Sequence, residues 1–235
     1  MSQSSQRTAF LSALRPPDSP PSGPDVLREL RRVIISGAVE PDAAVPVDDV
    51  ADLFGLSRIP VREALKTLIG EGLITHAARF GYLVTRLSEA ELHELYLVRG
   101  SLESAALEAA LTNASEEDDA RAAAVHEALT SAVDHQDSPG FQRTSREFHL
   151  ALLHSCRMPR LLSMLETAWN LTEPAQTMTR VEAHIQEELR DDHTKMLAAF
   201  VARDVTALRA LGQSHHRRLT AALDTMADPH DTGSA

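Results

Sequence analysis

The sequence predicts a mostly α-helical protein in two parts: an amino-terminal winged helix-turn-helix of three helices plus a small two-stranded wing, then an all-α antiparallel helical bundle. Three observations carry this prediction. A contiguous helical segment opens at Ser57, has Pro60 in its first turn, and spaces Arg58, Arg62 and Lys66 four residues apart. Two short β-prone runs, Leu73-Ile74-Thr75 and Tyr82-Leu83-Val84-Thr85, follow it and flank Arg79-Phe80-Gly81. From Ser88 onward, apolar residues recur at helical spacing with almost no strand-like alternation.

Taken in order, residues 1 to 24 hold Ser, Gln and Pro clusters, notably Pro16-Pro17-Asp18-Ser19-Pro20-Pro21, and are expected to be a mobile or extended tail. The winged domain spans about 25 to 86. Its first helix begins around Val26 and runs through Ile34 to Ser36-Gly37. Val47, Val50, Ala51, Leu53 and Phe54 suggest a short second helix that turns at Gly55. In the third, Ser57 caps the start and Pro60 falls where a missing N–H costs nothing. Val61, Ala64, Leu65 and Leu68 then face a core, with the three cations on another face. Gly72 ends that helix and the two β-prone runs form the wing.

The bundle is expected over residues 88 to 227. Ser88-Glu89-Ala90-Glu91 opens its first helix with a cap and acidic first turn, reaching about Leu111. A second helix restarts at Asn113-Ala114-Ser115-Glu116-Glu117, and a third runs from Ser138-Pro139 to about Ser155. Met158-Pro159 begins a fourth, ended or bent by Pro174. Helices over about 177 to 202 and 204 to 226 complete the set before a polar, disordered tail at 228 to 235.

Composition bounds the function classes. The apolar runs are interrupted before the roughly 20 residues a spanning helix needs, and the polar amino terminus lacks the apolar core of a secretory signal. Cys156, the single cysteine, cannot form an internal disulfide and suits a reducing interior, so a cytoplasmic location is expected. The net charge of −11 argues at first against a nucleic-acid partner, because affinity for DNA depends on neutralising phosphates. Yet residues 25 to 87 carry 8 Lys+Arg against 9 Asp+Glu, whereas residues 88 to 227 carry 13 against 22. The acidity sits mostly in the second part, and a dimer presenting two near-neutral reading domains would supply the affinity that one lacks.

Three cations on one exposed ridge can meet phosphates and guanine edges, although a single Arg-x-x-x-Arg also suits a plain solvated helix. The whole string is more specific. Ser57-Arg58-x-Pro60-Val61-Arg62-Glu63-Ala64-Leu65-x-x-Leu68-x-x-Glu71-Gly72-Leu73 resembles the DNA-binding domain of the GntR superfamily of bacterial transcription factors. The resemblance implies base contacts from Arg58 and Arg62, phosphate positioning by Ser57, Lys66 and Arg79, and a wing contact at Gly81. Asp42 departs from the family, which has glycine in that turn, so a differently shaped loop is expected.

The second part resembles the FCD-type (FadR-like) ligand-binding domain, on Tyr96-x-x-Arg99-x-x-x-Glu103, Phe148-His149, His193 and His215. His149 shares a helical face with Leu152 and Cys156, His193 with Leu189, Met196, Leu197 and Phe200, and His215 with Leu208, Leu211 and Leu219. Each is readable alone as a hydrogen-bonded core histidine; three from three helices suit a shared ion. The resemblance implies a divalent metal, zinc or nickel, held by His149, His193 and His215 and an aspartate, with a small carboxylate effector beside it. Ser145 stands in the aspartate's place, which is expected to weaken the metal. Arg99 falls on an inward stripe and has two readings, an internal pair with Glu103 or a fork onto the effector's carboxylate. Tyr96, Ser145 and Trp169 are the other expected effector contacts. The remaining eight histidines carry no placement signal beyond surface positions.

The reading that follows is a ligand-responsive regulator, not an enzyme. It binds a palindromic double-stranded operator as a homodimer, probing for a small organic acid in its helical domain and acting as a repressor, with no membrane partner. The alternatives are a helical metal-dependent enzyme built on the three histidines, for which no acidic residue shares the stripe of His149, and a dimerisation module without a ligand.

Overall fold

A computed structural model describes residues 3–226. The chain divides into two compact units after Ser88, with Asn170–Ala175 grouped with the first.

The first departure from expectation comes at the start. Gln3–Ala13 forms a helix, α1, and Phe10 and Leu14 are buried in the core of the first unit. Phe10, Leu11 and Leu14 recur at i, i+1, i+4, a spacing that gives even a Ser/Gln-rich segment one apolar face. Helix α2, Gly23–Ile35, starts earlier than Val26, because the Ser22 amide donates to the Asp25 carboxylate at 2.9 Å and Pro24 suits the first turn. Its buried residues Val26, Leu30, Val33 and Ile34 form one stripe against the next helices.

Helix α3, Val47–Leu53, is followed by Gly55 at φ 62, a conformation that glycine adopts without strain and that lets the chain turn into α4, Arg58–Gly70. Val61, Ala64, Leu65 and Leu68 of α4 are buried, and the Val and Leu side chains each contribute roughly 1.5–3 kcal/mol of apolar burial. Ser57 takes the cap position with extended backbone, but its side chain makes no capping hydrogen bond. Strands β1, Ile74–Ala77, and β2, Gly81–Val84, pair antiparallel with Ile74 opposite Val84 and Ala77 opposite Gly81. Asp42 adopts φ 67, the left-handed conformation for which glycine is favoured, so the loop keeps a glycine-like path despite the substitution. Its amide donates to the Val84 carbonyl at 2.9 Å and its carboxylate pairs with Arg86.

The second unit is helical throughout. Helix α5 spans Glu89–Asn113, α6 Glu116–Asp134, α7 Ser138–Leu153 and α8 Pro159–Thr172, with one-turn 3-10 helices at His154–Cys156 and Glu173–Ala175, the end of α8 and the last of these being the stretch grouped with the first unit. Ser115 and Asp118 cap α6 reciprocally, with the Ser115 amide 3.0 Å from the carboxylate. The single helix expected from 177 to 202 is instead two: α9, Thr177–Arg180, and α10, Ala183–Val201. Val181 breaks the run with extended backbone, and buried amides hold the break open. Gln142 accepts the Met178 N–H at 2.8 Å, while Gln186 donates to the Met178 carbonyl at 2.8 Å. Helix α11 spans Val205–Met226. The expected tail at 228 to 235 lies outside the described residues. Phe141, Phe148, Phe200, Leu129 and Leu152 are fully buried at the centre of this unit. Among the described residues no helix is long and apolar enough to cross a membrane.

Candidate DNA-reading helix and buried histidine site

On α4 the apolar stripe fixes the rotation of the helix, and that leaves Arg58, Arg62 and Lys66 exposed on its outer side. Two of the three have local partners. Arg58 Nε lies 2.6 Å from Asp48 at the start of α3, and Lys66 Nζ donates to Glu63 at 2.8 Å. Arg62 makes no ion pair among the described residues. Ser57 and Arg79 are exposed, and Gly81 opens β2 at φ 77 after the turn of the wing. Arg58 and Lys66 are therefore cations already partly neutralised, and a phosphate or base edge would have to displace a carboxylate at each; surface pairs of this kind are worth about 0–1 kcal/mol.

In the second unit, α7, α10 and α11 bring His149, His193 and His215 together, all buried, with one nitrogen of each within 4.8 Å of the others. The ring centroids of His193 and His215 are 4.5 Å apart, and His149 Nε2 lies 3.2 Å from His193 Nε2. Tetrahedral zinc, with Zn–N distances of about 2.0–2.1 Å, sets its ligand nitrogens about 3.3 Å apart, which the His149–His193 pair already matches. Nε2 of His215 and Nδ1 of His193 have no hydrogen-bond partner. Buried imidazoles left with open nitrogens are the donor set a borderline cation requires.

Two carboxylates that sequence reasoning did not place at this site support it. Glu103 on α5 lies 3.2 Å from His149 Nδ1, which directs the other nitrogen of His149 toward the cluster, as a carboxylate behind a metal-binding histidine does. Asp192 Oδ2 lies 3.6 Å from His215 Nδ1 and accepts from Arg218 Nε at 2.9 Å. No acidic residue shares the stripe of His149 on α7; the acid beside it comes from a neighbouring helix, where a single-helix stripe cannot show it. Burial pushes the Glu103 carboxyl up, but His149 and Arg99 outweigh this and hold it at about 2. Burial, with the other imidazoles adding to it, pushes His193 well below its ordinary value. Burial also lowers His215 to about 4, against the opposing pull of Asp192.

Arg99 is buried, with Nε 3.7 Å from Glu103 Oε1 and its guanidinium carbon 4.1 Å from the Trp169 ring centroid and 4.6 Å from that of Tyr96. The internal pair and a cation–π seat thus both engage it. Tyr96 Oη lies 2.7 Å from Thr177 Oγ1, tying α5 to α9. Ser145 is half-buried on α7, one turn before His149. A cavity of about 400 Å³ opens between α5 and α11 and reaches Glu103 and His149. Its walls include Gly100, Ser104, Gln213, His216 and Arg217 rather than Tyr96, Arg99, Ser145 or Trp169. His216, given no place by the sequence, is half-buried there, and burial lowers its pKa from the ordinary value.

Comparison with known proteins accords with both halves. Residues 24–84 match the model of bacterial regulatory proteins of the gntR family, and residues 94–231 match the FCD domain. The HTH-type transcriptional regulator McbR of Escherichia coli strain K12 is 29% identical, covering 78% of this chain and 84% of that protein. The HTH-type transcriptional repressor GlaR of the same organism is 27% identical over 81% of this chain and 90% of its own length. The solved structure of E. coli McbR/YncC aligns at a TM-score of 0.77 and 25% identity, covering 88% of this chain and 98% of that one. With a winged reading head, a buried histidine cluster and two family models spanning nearly all of it, the chain belongs to the GntR family of bacterial transcriptional regulators and carries an FCD domain as its second part.

Proposed function

We propose that the chain is a homodimeric repressor of the cytoplasm, which reads a palindromic operator through Arg58 and Arg62 and is controlled by a small organic acid bound beside a metal ion. The observation that carries the sensing half is the convergence of three buried imidazoles, one of which, His149, lines a cavity. His149, His193 and His215 would hold zinc or nickel, with Ser145 one turn away in place of a carboxylate. When bound, the ion supplies a positive centre that fixes a carboxylate. Glu103 orients His149 through Nδ1, directing its other nitrogen inward; Asp192 lies beside His215; Phe141 and Phe148 line the His193 ring with apolar surface. An effector shifts the equilibrium only by the difference in its affinity for the DNA-bound and released arrangements. The repressor direction follows the similarity to GlaR, a transcriptional repressor.

Metal analysis of protein purified without nickel resin, followed by thermal-shift screening of small carboxylic acids, tests the sensing half. One ion per chain is expected, with His193→Ala losing both the ion and the stabilisation by acids. Acid-dependent stabilisation that survives in His193→Ala would remove the ion from the sensing site.

A further inference from the structure

Outside the cluster of three imidazoles, a second set of metal-ligating side chains stands at the surface of the helical unit. Glu89 and His93 lie four residues apart at the start of α5, a spacing that puts both on one face of the helix, and Asp224 near the end of α11 meets them there. His93 Nε2 lies 3.2 Å from Asp224 Oδ1 and 4.0 Å from Glu89 Oε1. One donor atom from each residue falls within 4.8 Å of the other two.

Neither carboxylate pairs with a lysine or arginine among the described residues, so two negative charges face one imidazole. A protonated His93 would offset only one of them. It also brings a single N–H at Nε2, enough for the oxygen at 3.2 Å, whereas 4.0 Å to Glu89 is beyond hydrogen-bond range. A divalent cation balances both charges and takes one atom from each residue. Zinc holds imidazole nitrogen and carboxylate oxygen at about 2.0–2.2 Å, which sets neighbouring donors about 3.3 Å apart. His93 and Asp224 already have this spacing, and Glu89, with a side chain 49% exposed, has the freedom to close on it. One nitrogen with two carboxylates suits zinc and its transition-metal neighbours rather than magnesium or calcium, which take oxygen ligands.

We infer that Glu89, His93 and Asp224 form an exposed divalent transition-metal site, separate from the three-imidazole cluster, whose ion ties the start of α5 to the end of α11. With His93 30% and Asp224 67% exposed, water completes the coordination and the ion exchanges with solution. The ion stabilises the folded unit in proportion to the metal supplied.

The test is a zinc titration of chelator-stripped full chain by equilibrium dialysis, with bound metal counted by mass spectrometry, in wild type, Glu89→Gln, His93→Ala and Asp224→Asn. All three side chains are at the surface, so each variant should fold, as circular dichroism would verify. His93→Ala should bind one zinc ion per chain fewer than wild type, a difference that counts this ion alone whether or not the buried imidazoles are filled. Glu89→Gln and Asp224→Asn should each weaken the same binding step by about tenfold or more, at least the cost of losing an outer-shell partner. Equal stoichiometry in wild type and His93→Ala overturns the inference. So does a step that either carboxylate variant leaves unchanged, since the site needs all three ligands, or one that an equal concentration of magnesium abolishes, which would mark a plain acidic surface.

Discussion

With no metal bound, lowering the pH should destabilise this protein in a window set by its buried imidazoles. His215 is held at about 4 in the folded chain against about 6.5 when exposed. A histidine with a depressed folded-state pKa takes up its proton mainly in the unfolded chain, so stability is full above pH 6.5 and declines as the pH falls toward 4. A difference of about two and a half pKa units at 1.36 kcal/mol each corresponds to about 3 kcal/mol for His215 alone. His193, pushed down in the same direction, adds to the slope, and below about pH 4.5 Glu103, held at about 2, adds its own loss. A domain of this size has roughly 5–15 kcal/mol in total, so the effect is large. Urea unfolding of chelator-stripped protein, followed by circular dichroism from pH 7.5 to 4.5, measures it. His215→Leu should flatten the decline by up to about 1.4 kcal/mol per pH unit. Unfolding free energy that stays level within about 0.5 kcal/mol between pH 7.5 and 5 would refute the burial argument.

Three further outcomes are expected. Arg62→Ala should cost about 1–3 kcal/mol at the specific operator and relax base preference at the contacted pair; a gel-shift series with unchanged specificity removes Arg62 from base reading. Asp48→Asn, which frees Arg58, should tighten operator binding by up to about fivefold at low salt; equal affinity would mean that the pair is not exchanged for DNA. Phe10→Ala should destabilise the first unit by roughly 3–5 kcal/mol in urea unfolding, because its ring is fully buried; a loss under 1 kcal/mol would detach α1 from the core.

Most of the winged unit could be read from the chain because its signals are local. The stripe Val61, Ala64, Leu65, Leu68 and the glycines at 55 and 72 specify helix rotation and turns within a few residues of themselves. The histidine cluster was legible for a different reason: each imidazole interrupts an apolar stripe, so each had to point inward. What stayed hidden depends on pairing across helices. Glu103 behind His149, the break at Val181 held by Gln142 and Gln186, and His216 over Gly100 each join residues 36 or more positions apart, except that Gln186 lies close to Val181. Helix α1 was masked by composition, since two buried apolar side chains among Ser and Gln weigh little in a window average.

Asp192 precedes His193 on α10, yet it is His215 and Arg218 on α11 that it engages. Each of these two rods thus carries one imidazole of the cluster, and α10 also carries the carboxylate that steadies the other rod's imidazole. Sliding one past the other by even part of a turn would spoil both donors together, so the centre behaves as an all-or-nothing gauge of how α10 and α11 are aligned.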